Sequence, residues 1–518
     1  MRSVSFRTCL ILATVVAGSA HAAAVPANVT IGELRAGFAD GSLSCAQVTR
    51  HYLDRIAAYD KQGPAINAMI TVNPAAMAQA RALDAARDGA AVATPLWCVP
   101  VVLKDNYDTA DMPTTAASRS LAGAQPEHDA FSVARLRDQG ALIIGKTNLS
   151  EFALTGISLS SLGGQTRNPY DLTRTPGGSS GGTGAALAAD FAVAGTGSDT
   201  VNSVRSPASA NGVVGLRPTA GLISRDGIVP VSYTQDAAGP LARTVTDVAI
   251  MLDAMAGYDP NDPVSAFSVG HIPDSYVKAV TPGGLNGLRV GVLRTLFGNG
   301  AENAPVNQVM DTALETLSSQ GATLVEIDDS RLFTDDLSRA YDVQKYEYKQ
   351  MINAYLADHG DHVPVHSLAQ ILDSGQYNRA TLGKFLTAAA AVDDGMTQPD
   401  YYERLAGIDR LKTTLAGVMA AHDVDILVYP EQRQLVAPIS EQAQPQRNGI
   451  LAALTGVPVV TLSAGRSAAT DNAPLGVPVG LSMLGRPWSE PLLLRAAYAF
   501  EQAMPARRAP QSTPPLNE

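Results

Sequence analysis

At 518 residues and 53.9 kDa, 46% hydrophobic and 17% charged, the chain has an ordinary globular composition and the length to bury a large core. That composition excludes a disordered or collagen-like chain. A formal net charge of −11 argues against nucleic acid or an anionic membrane as the main partner.

In chain order, the first 22 residues read as a secretory signal peptide. Arg2 and Arg7 form a basic start, Cys9 to Gly18 an apolar core, and Ala20-His21-Ala22 a small-residue cleavage point before Ala23. The apolar core is too short to span a membrane. The expected product is a soluble periplasmic or secreted protein, free of the membrane once cleaved. Two cysteines remain, Cys45 and Cys98. An oxidising compartment allows them to pair, but sequence does not give their separation, so a disulfide and two separate thiols both stay open.

Thr30-Ile31-Gly32-Glu33 and Ser44-Cys45-Ala46-Gln47 each read as a capping box opening a helix. After the second, Val48, Tyr52, Leu53 and Ile56 follow at helical spacing. Helical patterns then alternate with short apolar runs at 99–103, 141–145, 191–194, 288–292, 323–327 and 426–429. Runs at 457–462 and 477–484 precede a closing helix through Leu492 to Phe500. Apolar strands separated by amphipathic helices predict an α/β fold, a sheet covered on both faces by helices. No repeat or linker divides the chain, so one large domain over 23–518 is the simplest account.

The stretch "RTPGGSSGGTG", residues 174–184, holds five glycines around Ser179 and Ser180. It lacks the lysine that a phosphate-binding loop needs. Gly195-Thr196-Gly197 lacks the third glycine of a dinucleotide fingerprint. Gly178-Ser179-Ser180-Gly181-Gly182 does fit the G-x-S-x-G pattern of a nucleophile elbow, so an esterase using Ser180 is an alternative. That fold needs a late histidine, and the last one here is His422. Without histidine a serine needs another base, and a lysine serves if burial keeps it neutral. Lys104, ending "PLWCVPVVLK", is the candidate. The cluster "DHGDHVPVH" brings Asp358, His359, Asp361, His362 and His366 together, but Pro364 opposes the helix that would align two of them on a metal. A solvated loop is the simpler reading, with no metal and no cofactor.

"VPVVLKD", "TPGGSSGGTGAALAADFAVAGTGSDTVNSVRSPAS" and "VGLRPTAGLISRDGIVP" together resemble the amidase signature family of serine hydrolases. "GALIIGKTNLSEFA", "DAAGPLARTVTDVA" and the closing "GVPVGLSMLGRPWSEPLLLRAAYAFEQA" extend the likeness over most of the chain, with its core motifs about 85–245. The resemblance implies a single α/β/α domain around a mixed sheet and a small-molecule amide as substrate. It also implies a triad of Lys104, Ser179 in a cis peptide, and Ser203 as nucleophile. Ser203 lies 24 positions after Ser179, the family's interval, which selects Ser179 over Ser180 as the bridging serine. Ser180 then holds the loop, while Asp199 and Arg205 brace the nucleophile. Backbone N–H groups of Thr200, Val201, Asn202 and Ser203 are the expected oxyanion hole.

The family also includes subunits of cytoplasmic tRNA amidotransferases, a non-hydrolytic alternative that the signal segment opposes. Val201 and Asn202 depart from the family's usual pair of glycines. Asparagine tolerates left-handed backbone angles, so Asn202 is expected to take a glycine's place, and Val201 to be extended. On that reading Asn202→Gly keeps most activity.

Overall fold

The computed structural model describes residues 24–87, 89 and 94–516; the expected signal segment, 1–22, lies outside the described residues. Both capping boxes form. Thr30 accepts the Glu33 N–H while Glu33 accepts the Thr30 N–H, opening the helix Ile31–Asp40; Ser44 and Gln47 do the same for Cys45–Tyr59. Cys45 and Cys98 are joined as a disulfide, with Cα atoms 5.6 Å apart. The bridge ties the start of the second helix to the turn that leads into the strand bearing Lys104.

The strands in chain order are β1 (Met69–Val72), β2 (Pro100–Lys104), β3 (Leu142–Thr147), β4 (Leu159–Ser160), β5 (Gly164–Gln165), β6 (Ala194–Asp199) and β7 (Val214–Arg217). They continue with β8 (Ala237–Ala242), β9 (Arg289–Leu293), β10 (Thr323–Ile327), β11 (Ile426–Pro430), β12 (Val459–Arg466) and β13 (Pro478–Leu484). Eleven of them form one sheet in the order β1-β3-β2-β6-β8-β7-β12-β13-β11-β9-β10, and β4 and β5 pair separately. The sheet is mixed: β3, β2 and β6 run parallel, as do β11, β9 and β10, and the remaining neighbours are antiparallel. Helices surround it, so the fold is the expected α/β class with a large mixed sheet.

Seven of the eight expected apolar runs lie largely within strands, and most of these strands are apolar because both their faces are buried, the part-exposed edge strand β10 being the exception. The eighth is a correction. Of the run 191–194 only Ala194 is strand, and β6 continues as Ala194–Asp199 through glycines and hydroxyl residues. Strands β1, β7 and β8 are not among the expected runs. Both β6 and β8 are central, yet they are built from small residues: Gly197 faces Gly239, and Pro240 sits inside β8 opposite Thr196. Close packing explains this. A Cβ at Gly195 would lie 2.7 Å from the Thr183 methyl on the helix Gly181–Ala188, and one at Gly239 would lie 2.1 Å from the Leu216 carbonyl oxygen.

The main apolar core lies along the sheet from β2 to β13. Two smaller clusters form where the helical stretch between β10 and β11 docks. No helix of the described residues is long and apolar enough to cross a membrane.

Candidate active site

Strand β2 ends at Lys104 inside the protein, with no part of the residue exposed. Its Nζ donates to Ser179 Oγ at 2.7 Å, to Ser198 Oγ at 2.8 Å and to the Ser198 carbonyl at 3.2 Å. Burial lowers its pKa to about 7, against the opposing pull of Asp199 and Asp236. Among the described residues no carboxylate lies within ion-pair distance of Lys104, so an amine is poised here to exchange a proton near neutral pH.

Ser179 follows a cis Gly178–Ser179 peptide bond in the glycine loop. The loop fits because its residues are small. A Cβ at Gly182 would sit 2.1 Å from the Asn148 carbonyl oxygen, and one at Gly178 would sit 2.8 Å from backbone at Gly156. The Ser179 carbonyl accepts the Ser150 N–H at 3.0 Å. Ser180 N–H donates to the Ser203 carbonyl at 3.1 Å, which sets the double-serine turn against Ser203. Ser203 stands just before the short helix Arg205–Asn211 and is almost fully buried. Its Oγ has no protein hydrogen-bond partner among the described residues, so Lys104 and Ser179 are joined directly while Ser203 is held beside them by its backbone.

Ser180 is buried, and its Oγ reaches only the Ser198 carbonyl, at 3.4 Å. No strand runs into Ser180, and His422 is exposed at the end of the helix Pro399–Ala421. The elbow geometry is therefore missing. The histidines of "DHGDHVPVH" go separate ways: His359 Nε2 lies 2.8 Å from Asp108, and His362 lies 3.1 Å from Glu127. No group of three or more metal-ligating side chains gathers among the described residues.

Asp199 ends β6 and anchors the loop that carries Ser203. It accepts from Val204 N–H at 3.0 Å, from Arg205 Nε at 3.1 Å and Nη2 at 3.0 Å, and from Arg217 Nη1 at 2.9 Å. Burial alone would raise its carboxyl, but the Arg205 and Arg217 guanidiniums outweigh that and hold it well below the usual carboxylate range. Removing one member of such a buried cluster costs about 3–5 kcal/mol. Arg205 also donates to the Val201 and Gly449 carbonyls, so the loop is gripped from two sides. The N–H groups of Val201, Asn202 and Ser203 have no protein acceptor among the described residues. Neither Val201 nor Asn202 has a positive φ. Asn202 is thus not in the left-handed region expected of it, and no glycine is required by the backbone there.

Sequence reasoning missed Ser198, the second hydroxyl on Lys104, and Arg217, the second guanidinium on Asp199. Both lie inside the motifs quoted above, "GTGSDT" and "VGLRP", but neither shows a periodicity or spacing that assigns it a role. Beside the site opens a cleft of about 610 Å³ whose wall includes Ser198, Thr200, Arg225, Asp226, Asp236 and Asp358.

The site thus sets a buried lysine–serine pair at the end of β2 beside a second serine, Ser203, just before a helix. The Amidase family model matches residues 47–494, and the chain belongs to the amidase signature family. The native peptide amidase of Stenotrophomonas maltophilia is 37% identical, with a TM-score of 0.85 over 93% of this chain and 98% of that one. An amidase family protein from Bacillus anthracis is 30% identical, with a TM-score of 0.81 over 93% and 92%. Among curated relatives, a glutamyl-tRNA(Gln) amidotransferase subunit from Geobacter metallireducens is 36% identical over 489 residues, covering 92% of this chain and 97% of its own.

Proposed function

We propose that the protein is an exported amidase that hydrolyses carboxamides through an acyl-enzyme on Ser203. The observation that carries this reading is the buried Lys104 amine, 2.7 Å from Ser179 Oγ and with its pKa brought to about 7. Neutral Lys104 takes the Ser179 proton as Ser179 takes that of Ser203. Ser203 attacks the carbonyl, and the oxyanion is received by the N–H groups along Thr200–Ser203. Ser179 then returns a proton to the leaving nitrogen, and water releases the acid. No step needs a cofactor or a metal.

The likeness to the peptide amidase supports hydrolysis of small amides. The amidotransferase relatives supply the second reading, a non-hydrolytic subunit of an amidotransferase. The signal-like segment and the Cys45–Cys98 disulfide favour the first, since disulfides persist in oxidising compartments outside the cytoplasm. A panel of amides and esters, read by mass spectrometry with acyl-enzyme trapping, tests the proposal. The expected adduct maps to Ser203 and disappears in Ser203→Ala with the fold intact; an adduct on Ser180, or undiminished turnover in Ser203→Ala, would overturn it.

A further inference from the structure

Strand β2 delivers Lys104 and then breaks into a turn, Asp105–Asn106, before Tyr107 bridges to Ile228. The Tyr107 N–H closes the turn on the Lys104 carbonyl at 3.0 Å, and the Tyr107 hydroxyl reaches the Gly197 carbonyl on β6 at 2.6 Å. The Asn106 carbonyl accepts the Val229 N–H at 2.8 Å. Asn106 is thereby laid against β6, and its Nδ2 donates to Ser198 Oγ at 3.0 Å. Only 1% of the residue is exposed, and its Oδ1 is buried without a partner. Among the described residues the bond to Ser198 is therefore the one hydrogen bond its carboxamide makes. A buried amide with an unmet acceptor costs stability, and a leucine of similar shape would leave nothing unmet. Packing does not account for an asparagine here.

The bond leads to the base. Ser198 Oγ accepts from Asn106 and also from Lys104 Nζ at 2.8 Å, while the Ser198 carbonyl accepts from the same Nζ at 3.2 Å. That carbonyl is fixed by the sheet, where Ser198 pairs with Ala238 of β8. A hydroxyl has one hydrogen and two acceptor positions. With two donors on its oxygen, the Ser198 hydrogen is left for the cleft that the residue lines. A neutral amine has two N–H groups and one lone pair. If the two Ser198 oxygens take the N–H groups, the lone pair lies toward the third neighbour, Ser179 Oγ at 2.7 Å.

We propose that Asn106 is a positioning residue for the base: through its bond to Ser198 Oγ it keeps that hydroxyl an acceptor of a Lys104 N–H, so that the lone pair of the neutral amine faces the Ser179 hydrogen. The inference rests on the reading of Lys104 as base and Ser203 as nucleophile. Without Asn106 the Ser198 hydroxyl is free to turn and donate its own hydrogen to the lone pair. Ser179 then faces an N–H, which cannot take its proton. Asn106 itself neither gives nor receives a proton in the reaction. The carboxylates that bear on Lys104, Asp199 and Asp236, stay in place in every variant below.

The test measures kcat and KM for hydrolysis of N-acetylphenylalanine amide across the pH range, with Tm as the check on folding. It compares wild type, Asn106→Leu, Asn106→Ala, Ser198→Ala, the Asn106→Leu/Ser198→Ala double variant and Ser203→Ala. Both Asn106 variants are expected to lose about ten- to a hundredfold in kcat with KM little changed, a part of what a general base contributes. Ser198→Ala is expected to lose about as much. Its acid limb is expected to move to lower pH by about half a unit or more, because a hydrogen-bond acceptor favours the ammonium over the amine. The double variant is expected within about twofold of Ser198→Ala, since Asn106 acts only through Ser198, whereas independent structural losses would add. Three results would each overturn the inference: kcat in Asn106→Leu within about threefold of wild type, additive losses in the double variant, or an unchanged kcat and acid limb in Ser198→Ala. The last would do so even if both Asn106 variants failed to fold. Turnover in Ser203→Ala as fast as in wild type would instead overturn the reading of the site on which the inference rests.

Discussion

Replacing Lys104 with methionine separates function from stability in a way worked out from its surroundings. The lysine is fully buried, and its pKa falls from 10.5 in an unfolded chain to about 7 in the fold. Folding therefore forces off a proton at any pH between those values, and below pH 7 it must bury the charge. Converted at the usual rate, that penalty is about 5 kcal/mol below pH 7, fading to near zero as pH rises to 10.5. Against it stand the three hydrogen bonds to Ser179 and Ser198, each contributing about 1 kcal/mol net. Lys104→Met thus lies between neutral and about 3 kcal/mol more stable than wild type at pH 7, although it loses catalysis by about a hundredfold to ten-thousandfold. The assay is urea unfolding of both proteins at pH 6 to 10. The expected difference in stability favours the methionine variant and is level below pH 7, then falls by a little over 1 kcal/mol for each pH unit above it, so that wild type is the more stable by pH 10. A difference that does not change with pH would refute a depressed lysine, and full activity in Lys104→Met would refute its role as base.

Two further outcomes follow from the fold and the cleft. Reducing the Cys45–Cys98 bridge, or replacing both cysteines with serine, is expected to lower stability by about 2–5 kcal/mol, read as a fall in Tm with dithiothreitol; an unchanged Tm would show the bridge to be dispensable. Among the described residues the cleft's Asp226, Asp236 and Asp358 have no cationic group within ion-pair distance, while its Arg225 is paired with Asp262 at 2.7 Å. Amides carrying a positive charge are expected to show higher kcat/KM than their anionic analogues by about tenfold at low salt, with the gap closing at high salt; equal values at low salt would contradict this.

The fold class and most outer strands are legible in the sequence because strands covered on both faces leave unbroken apolar runs. The centre of the sheet is hidden for a matching reason. Strands β6 and β8 are pressed closely, β6 by the helix after the glycine loop and β8 by β7, so they are built mostly from Ala, Gly, Ser, Thr and Pro and carry no strand signal. The candidate lysine shows the limit more sharply. Lys104 ends β2 and Lys146 nearly ends β3, and both are wholly buried. Position in a strand does not tell them apart; only the resemblance did. The structure separates them by partners, since Lys146 lies 3.5 Å from Asp105 while Lys104 faces only hydroxyl and carbonyl oxygens. Likewise Asn202 looks from sequence like a stand-in for glycine, and proves to be a side chain with surroundings of its own.

The proton affinity of Lys104, which burial lowers, and the shape of the loop proposed to receive the oxyanion both depend on how Asp199 is held. A buried amine keeps its proton if an unengaged carboxylate stands nearby, and Asp199 is close enough to raise the proton affinity of Lys104. That pull is blunted because Asp199 is bound to two guanidiniums, so that the three side chains together carry one net positive charge. The same bonds shape the loop: Asp199 takes the Val204 N–H, and Arg205 holds the Val201 carbonyl. With those groups turned toward the cluster, the N–H groups of Val201, Asn202 and Ser203 are left without protein partners among the described residues. On the proposed mechanism, a change that freed the Asp199 charge would therefore act twice, returning a proton to Lys104 and loosening the loop assigned to the oxyanion. On the same mechanism Arg217, whose hydrogen bonds go to Asp199 and Gln235, would bear on the chemistry through that shared carboxylate.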